Sequence, residues 1–169
     1  PLIDLSVSKW DKLLNVNTRA TLLLAQAAYP ALKESKGALV AVASMSGMGA
    51  HPGMGAYSPS KAALISLCQV LAQEWACDGI NVNTVSPGMI RTPLTQKVYE
   101  NNQIAKERAA LVPWGRVGNP EDISNVISFL LSPEANYITG QNILVDGGFV
   151  DSLYRHIPGL PDSSEIDKT

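Results

Sequence analysis

Tyr57 and Lys61 stand four residues apart in Tyr-Ser-Pro-Ser-Lys. On a helix this spacing puts both side chains on one face, about one turn apart. A phenol is a poor acid or base at pH 7. Holding it ionised costs about 4 kcal/mol, because its pKa lies near 10. An ammonium a few ångströms away favours the phenolate and recovers part of that cost. Ser44 lies thirteen residues before Tyr57, at the carboxyl end of an apolar run. Ligands of open α/β sheets bind beyond the carboxyl ends of the strands. A strand-end hydroxyl and a helix-start phenol can therefore reach one oxygen, and the chemistry is proton transfer to or from a carbonyl or alcohol. Ser46 is the rival serine, further into the loop. Taken singly, Tyr-x-x-x-Lys also describes a surface pair, and Ser44 a turn serine.

The elements that position these residues alternate in type. Apolar residues recur at helical spacing from Trp10 to Tyr29, with Ser8 as N-cap and Pro30 as the expected end. Ala38 to Ala43 is short and almost wholly apolar, which suits a strand covered on both faces. A Gly/Met-rich loop from Met45 to Gly55 leads into a helix from Tyr57 to Ala76, with Pro59 in its first turn. Ile80 to Val85 reads as a strand closed by Ser86-Pro87-Gly88. Residues 92–111 read as a mobile loop-helix that could close as a lid with Trp114. Asn119, Pro120, Glu121 and Asp122 start a further helix that reaches Leu131. Gln141 to Val145 gives a last strand, and residues 153–169 a loose polar tail. This order predicts a doubly wound parallel α/β sheet. Three strands are few for such a sheet, so part of it is expected to be missing.

Composition narrows the function. The 169 residues are 46% hydrophobic and 17% charged, as in a well-buried globule. A net charge of −2 argues against a nucleic-acid surface. No stretch has the roughly 20 apolar residues of a membrane span. Cys68 and Cys77 fall in one helical segment, too far apart for a disulfide, and read as free thiols in a reducing, cytoplasmic setting. No Cys/His spacing suggests a metal site.

Four stretches together resemble the short-chain dehydrogenase/reductase family. Val42-Ala43-Ser44-Met45-Ser46-Gly47 through Tyr57-Ser58-Pro59-Ser60-Lys61-Ala62-Ala63 is similar to its active-site segment. Asn15-Val16-Asn17 resembles its helical asparagine motif. The run from Asn81 through Pro87-Gly88-Met89-Ile90-Arg91-Thr92 is similar to its nicotinamide-bordering turn. Ile138 to Gly148 resembles its closing strand. The resemblance covers roughly residues 5 to 150 and implies a Rossmann-like domain over 1–150, with 151–169 as a tail. It implies Tyr57 as general acid/base and Ser44 as the residue orienting the substrate oxygen. Lys61 would hold the nicotinamide ribose, and Asn17 would anchor a water leading from Lys61 to solvent. Pro87, Gly88, Ile90 and Thr92 would position the nicotinamide of NAD or NADP. The substrate is a small alcohol or carbonyl compound. Met45 and His51 are candidate substrate contacts, with Met48 and Met54 as further pocket lining, while Arg116 more plausibly ties down its loop. A homodimer or homotetramer is implied through the two long helices.

The front of the family pattern is not found. At the front of the chain no Gly-x-x-x-Gly-x-Gly or Gly-x-Gly-x-x-Gly turn is read, and the Asn-Asn-Ala-Gly turn is absent. The chain therefore reads as a carboxyl-terminal part that lacks the dinucleotide-binding half, is inactive alone and has an aggregation-prone sheet edge. Two other readings remain: a silent dinucleotide-binding sensor or scaffold, and a non-redox relative such as a sugar epimerase.

Overall fold

The computed structural model describes residues 1–158. Three parallel strands, β1 (Ala38–Val42), β2 (Asn81–Pro87) and β3 (Asn142–Val145), form one sheet in the order β1-β2-β3. Helix α1 (Val7–Leu14), a five-residue π-turn (Asn15–Arg19) and α2 (Ala20–Ser35) precede β1. Helix α3 (Tyr57–Trp75) connects β1 to β2. Helices α4 (Gln96–Tyr99), α5 (Asn102–Leu111) and α6 (Pro120–Leu130) lie between β2 and β3. The parallel doubly wound expectation holds.

Period-two alternation sorts the strand side chains between two cores. Ala41 and Val82 pack with Leu64, Cys68, Leu71 and Trp75 of α3 and with Ala25 of α2. Val85, Val40 and Ile143 face Ile123 and Leu130 of α6. Residues 82–86 of β2 are all buried, as a central parallel strand requires. Among the described residues β1 pairs only with β2 and forms a sheet edge, where Val42 stays 46% exposed. Beside that edge, Val16 and Leu24 are also exposed.

Two expected boundaries are corrected. The first N-cap is Ser6, whose side chain accepts from the Lys9 amide, and not Ser8. Pro30 lies inside α2, which continues to Ser35. An interior proline costs about 3 kcal/mol. Here Tyr29 and Leu32 pack on the α3-side core, and Gly37 N–H closes the helix on the Leu32 carbonyl at 2.9 Å. Burial on both sides of Pro30 offsets the lost bond. The 92–111 segment forms two helices, α4 and α5. Cys68 is buried, which pushes its thiol up to about 11, and Cys77 is exposed. The expected tail begins with a 3-10 turn at Leu153–His156, and its residues 159–169 lie outside the described ones.

Candidate active site

Ser44 follows the carboxyl end of β1 in extended backbone and caps the short turn Met45–Gly47. Its Oγ accepts from the Ser46 amide at 3.1 Å. That turn lies directly on α3. A Cβ on Gly47 would sit 2.9 Å from the Lys61 carbonyl carbon and 3.0 Å from the Ala62 nitrogen. Only glycine permits this approach, and the approach brings the Ser44 turn onto the helix that carries Tyr57.

Tyr57 opens α3, and Lys61 follows one turn later with Nζ 5.9 Å from the Tyr57 ring centroid. Lys61 Nζ donates to the Val42 carbonyl at 2.9 Å, and burial pushes its amine below the ordinary value. Asn17 arrives through the π-turn, a type of bulge frequent at functional sites. Its Nδ2 donates to Ser60 Oγ at 2.9 Å, and Ser60 Oγ donates in turn to the Tyr57 carbonyl at 2.7 Å. Thr18 Oγ1 donates to the Ser60 carbonyl at 2.9 Å. Fully buried Ser60 thus ties the asparagine turn to the first turn of α3. Sequence reading missed this residue, although it stands inside Tyr-Ser-Pro-Ser-Lys. Asn17 and Lys61 share a cavity of about 320 Å³ with Val42, open beside the sheet edge.

Ser60→Ala removes the partner of Asn17 Nδ2 and with it the tie between the π-turn and α3. It is expected to cost about 0.5–1.5 kcal/mol, the usual net worth of a hydrogen bond. Urea unfolding reads this directly, and an unchanged midpoint would remove Ser60 from its bridging position.

The expected nicotinamide turn is built at the carboxyl ends of β2 and β3. Gly88 N–H donates to the Val145 carbonyl at 2.9 Å. Ile90 pairs with Gly118, and the Arg91 amide donates to the Gly118 carbonyl at 2.9 Å. Thr95 Oγ1 accepts from the Thr92 amide and donates to the Ile90 carbonyl, both at 2.9 Å. The two ends of this turn face different cavities. Ile90 lines one of about 230 Å³ with Trp114 and Asp146, and Thr92 one of about 380 Å³ with Arg91 and Tyr99. Neither cavity is lined by Ser44 or Tyr57. Arg116 holds Asp122 through two bonds of 2.7 and 2.9 Å, as a loop tie. Arg116, followed by the Asn119 amide, holds the Asp122 carboxyl well below the usual carboxylate range.

On the opposite side of the first turn of α3, His51 Nδ1 lies 3.0 Å from Ser46 Oγ. Met48 lines the same cavity as His51, whereas Met45 is not part of that lining and Met54 borders a separate depression. A Gly-x-x-x-Gly-x-Gly spacing does occur, at Gly49, Gly53 and Gly55. It sits in the loop before α3, where the Met54 and Tyr57 amides already bond within the loop. Those two amides are not free to cradle a phosphate.

Lys61, Asn17 and Thr21 are the polar residues of the cavity beside β1 and could hold the hydroxyls of a nicotinamide ribose. There the Lys61 amine has only the Val42 carbonyl as hydrogen-bond partner among the described residues. Among the described residues no helix is long and apolar enough to cross a membrane.

A family model described as enoyl-(acyl carrier protein) reductase matches residues 1–150. A 3-oxoacyl-[acyl-carrier-protein] reductase of Thermotoga maritima is 40% identical over 151 residues, 88% of this chain and 60% of that protein. A (3R)-3-hydroxyacyl-CoA dehydrogenase of Mus musculus is 39% identical over 149 residues, 87% of this chain and 57% of that protein. A solved 4-hydroxyisoleucine dehydrogenase complexed with NADH is 37% identical with a TM-score of 0.84, covering 89% of this chain and 63% of that one. A structure from Agrobacterium tumefaciens with bound NADP is 32% identical, with a TM-score of 0.82 and coverages of 88% and 61%. The chain thus spans 46–60% of the length of these and similar curated relatives. With the match running from residue 1 to residue 150 and the parallel sheet shared by the solved structures, the chain belongs to the short-chain dehydrogenase/reductase family.

Proposed function

We propose that residues 1–150 carry the catalytic part of an oxidoreductase that interconverts an alcohol and a carbonyl with NAD or NADP, residues 151–169 being a tail. The observation that carries this reading is the tie of Asn17, Ser60 and Tyr57 beside Lys61, with the Ser44 turn packed on the same helix. When bound, the nicotinamide supplies or accepts the hydride. Tyr57 gives a proton to the substrate oxygen in reduction and takes it back in oxidation. Ser44 Oγ accepts from the Ser46 amide, which leaves its own proton to stabilise charge on that oxygen. The Lys61 ammonium favours negative charge on the phenol oxygen and would exchange the Val42 carbonyl for ribose hydroxyls. Asn17, fixed by Ser60, anchors a water that connects Lys61 to solvent. The backbones of Pro87, Gly88 and Ile90, with the Thr92 hydroxyl, position the nicotinamide, and Met45 and His51 contact the substrate. A homodimer or homotetramer and a cytoplasmic location complete the proposal.

Consumption of NADH or NADPH by the full-length protein with a panel of ketones and aldehydes tests it. Carbonyl-dependent loss of the reduced-nicotinamide absorbance is the expected result, and no loss with any of them would refute it. The 169-residue chain alone is expected not to bind NADH with micromolar affinity, because it spans only part of its relatives and its one glycine spacing lies in the loop before α3, where the Gly49 and Met54 amides bond within the loop. Fluorescence titration checks this, and tight binding would show a complete cofactor site in these residues.

A further inference from the structure

Three segments of the chain meet on one aromatic ring. Arg91 follows the Ile90–Gly118 bridge, Tyr99 ends α4, and Arg108 belongs to α5. The guanidinium carbons of Arg91 and Arg108 lie 5.4 and 5.6 Å from the Tyr99 ring centroid. Each cation is attracted to the ring, while two positive charges gathered on one ring repel each other. A carboxylate would neutralise such a cation, as Asp122 neutralises Arg116. None of the described carboxylates does so here. Glu100 lines the same cavity as Arg91 without pairing with it, and Glu107 accepts from Gln103.

The donors of this cluster are also unused. Among the described residues the Arg91 side chain donates no hydrogen bond, and Arg108 Nη1 donates only to the Tyr99 hydroxyl, at 3.4 Å. That hydroxyl accepts from Arg108, and its own proton has no acceptor among the described residues. Tyr99 is 6% exposed, and a buried tyrosine hydroxyl usually finds a partner for its proton. Arg91 and Tyr99 both line the cavity of about 380 Å³. A guanidinium fork matches the paired oxygens of a carboxylate or a phosphate. We propose that Arg91 and Tyr99 bind an oxoanion, a carboxylate or phosphate group, with Arg108 as the positioning residue that holds the phenol oxygen and leaves its proton to the ligand. Thr92 lines this cavity too, so the oxoanion lies beside the turn proposed to position the nicotinamide. It arrives as the acid group of a carbonyl substrate or as a free anion such as inorganic phosphate. The first source rests on the oxidoreductase reading proposed above, and the second does not.

Two measurements on the full-length protein test the site and separate its sources: calorimetric titration with inorganic phosphate, and steady-state reduction of lithium acetoacetate against methyl acetoacetate. Arg91 is exposed, so its replacement leaves the core intact. Arg91→Gln is expected to weaken phosphate binding, or to lower the kcat/KM ratio of acid over ester, by about tenfold, the lower end for a hydrogen bond to a charged group. Arg91→Lys keeps the charge and loses the fork, so it should fall between Arg91→Gln and the wild type. Tyr99→Phe keeps the ring and should weaken the same quantity. A fall in the ratio, carried by KM with kcat retained, assigns the oxoanion to the substrate. Weakened phosphate binding at an unchanged ratio assigns it to a free anion. An unchanged phosphate isotherm together with an unchanged ratio in Arg91→Gln overturns the site, as does an effect confined to NADH affinity. If neither ketone is reduced, the oxidoreductase reading fails, and titration with phosphate and with acetoacetate decides the site alone. Saturable heat that is lost in Arg91→Gln then upholds it, and no saturable heat in the wild type overturns it.

Discussion

Tyr57→Phe is expected to lower kcat by roughly 10²–10⁴-fold, the usual contribution of a positioned general acid or base. The substitution removes one oxygen and keeps the ring. The side-chain bonds that hold this turn of α3 pass through the Tyr57 backbone carbonyl and Ser60, and neither depends on the phenol. Folding and cofactor affinity should therefore stay close to the wild type while the chemical step collapses. Stopped-flow kinetics separates the two. A loss confined to KM would make the hydroxyl a binding group, and a loss below tenfold would move the acid/base role elsewhere.

Gly88→Ala is expected to destabilise the fold by about 1–3 kcal/mol, the usual cost of overpacking, and to weaken binding at the nicotinamide end. The reason is space. Gly88 is not among the glycines with positive φ, so its backbone would accept a side chain. A Cβ there, however, would lie 2.5 Å from the Asp146 Cβ and 2.7 Å from its Cα. Asp146 cannot yield easily, because its carboxylate accepts from the amides of Gly148 and Val150 at 2.9 and 2.7 Å. The ends of β2 and β3 must then separate, and the Val145 carbonyl loses the Gly88 amide. Urea unfolding gives the first effect. A wild-type midpoint would show that the two strand ends part without cost.

The contrast between these two residues shows what the sequence makes legible. Ser44, Tyr57 and Lys61 could be named from their types and spacing, because a strand end, a loop and a helix turn fix their order along the chain. The apolar run from Ala38 to Ala43 suggests a strand covered on both faces, yet the most buried strand is β2, whose Asn83, Thr84 and Ser86 give no apolar run to read. The π-turn that delivers Asn17 has no period to betray it, since one extra residue in a helix leaves the flanking pattern intact. Pro30 reads locally as a stop, and only the tertiary burial of Tyr29 and Leu32 explains why α2 continues. Ser60 looked like a spacer within its motif until a turn from forty residues upstream came to rest on it. Met45 and Met48 have equal claim to a pocket by composition, and in the fold Met48 rather than Met45 lines the cavity that His51 borders. Each miss comes from contacts between distant segments, which local pattern does not encode.

Hydride transfer itself is most directly tested with reduced nicotinamide carrying deuterium at both C4 positions, incubated with the full-length protein and a ketone that it accepts. Mass spectrometry of the alcohol should find a single deuterium on the carbinol carbon, with the label lost along with turnover in Tyr57→Phe. An alcohol or isomerised product without deuterium, or full label transfer by Tyr57→Phe, would contradict the assignment of the reaction to these residues.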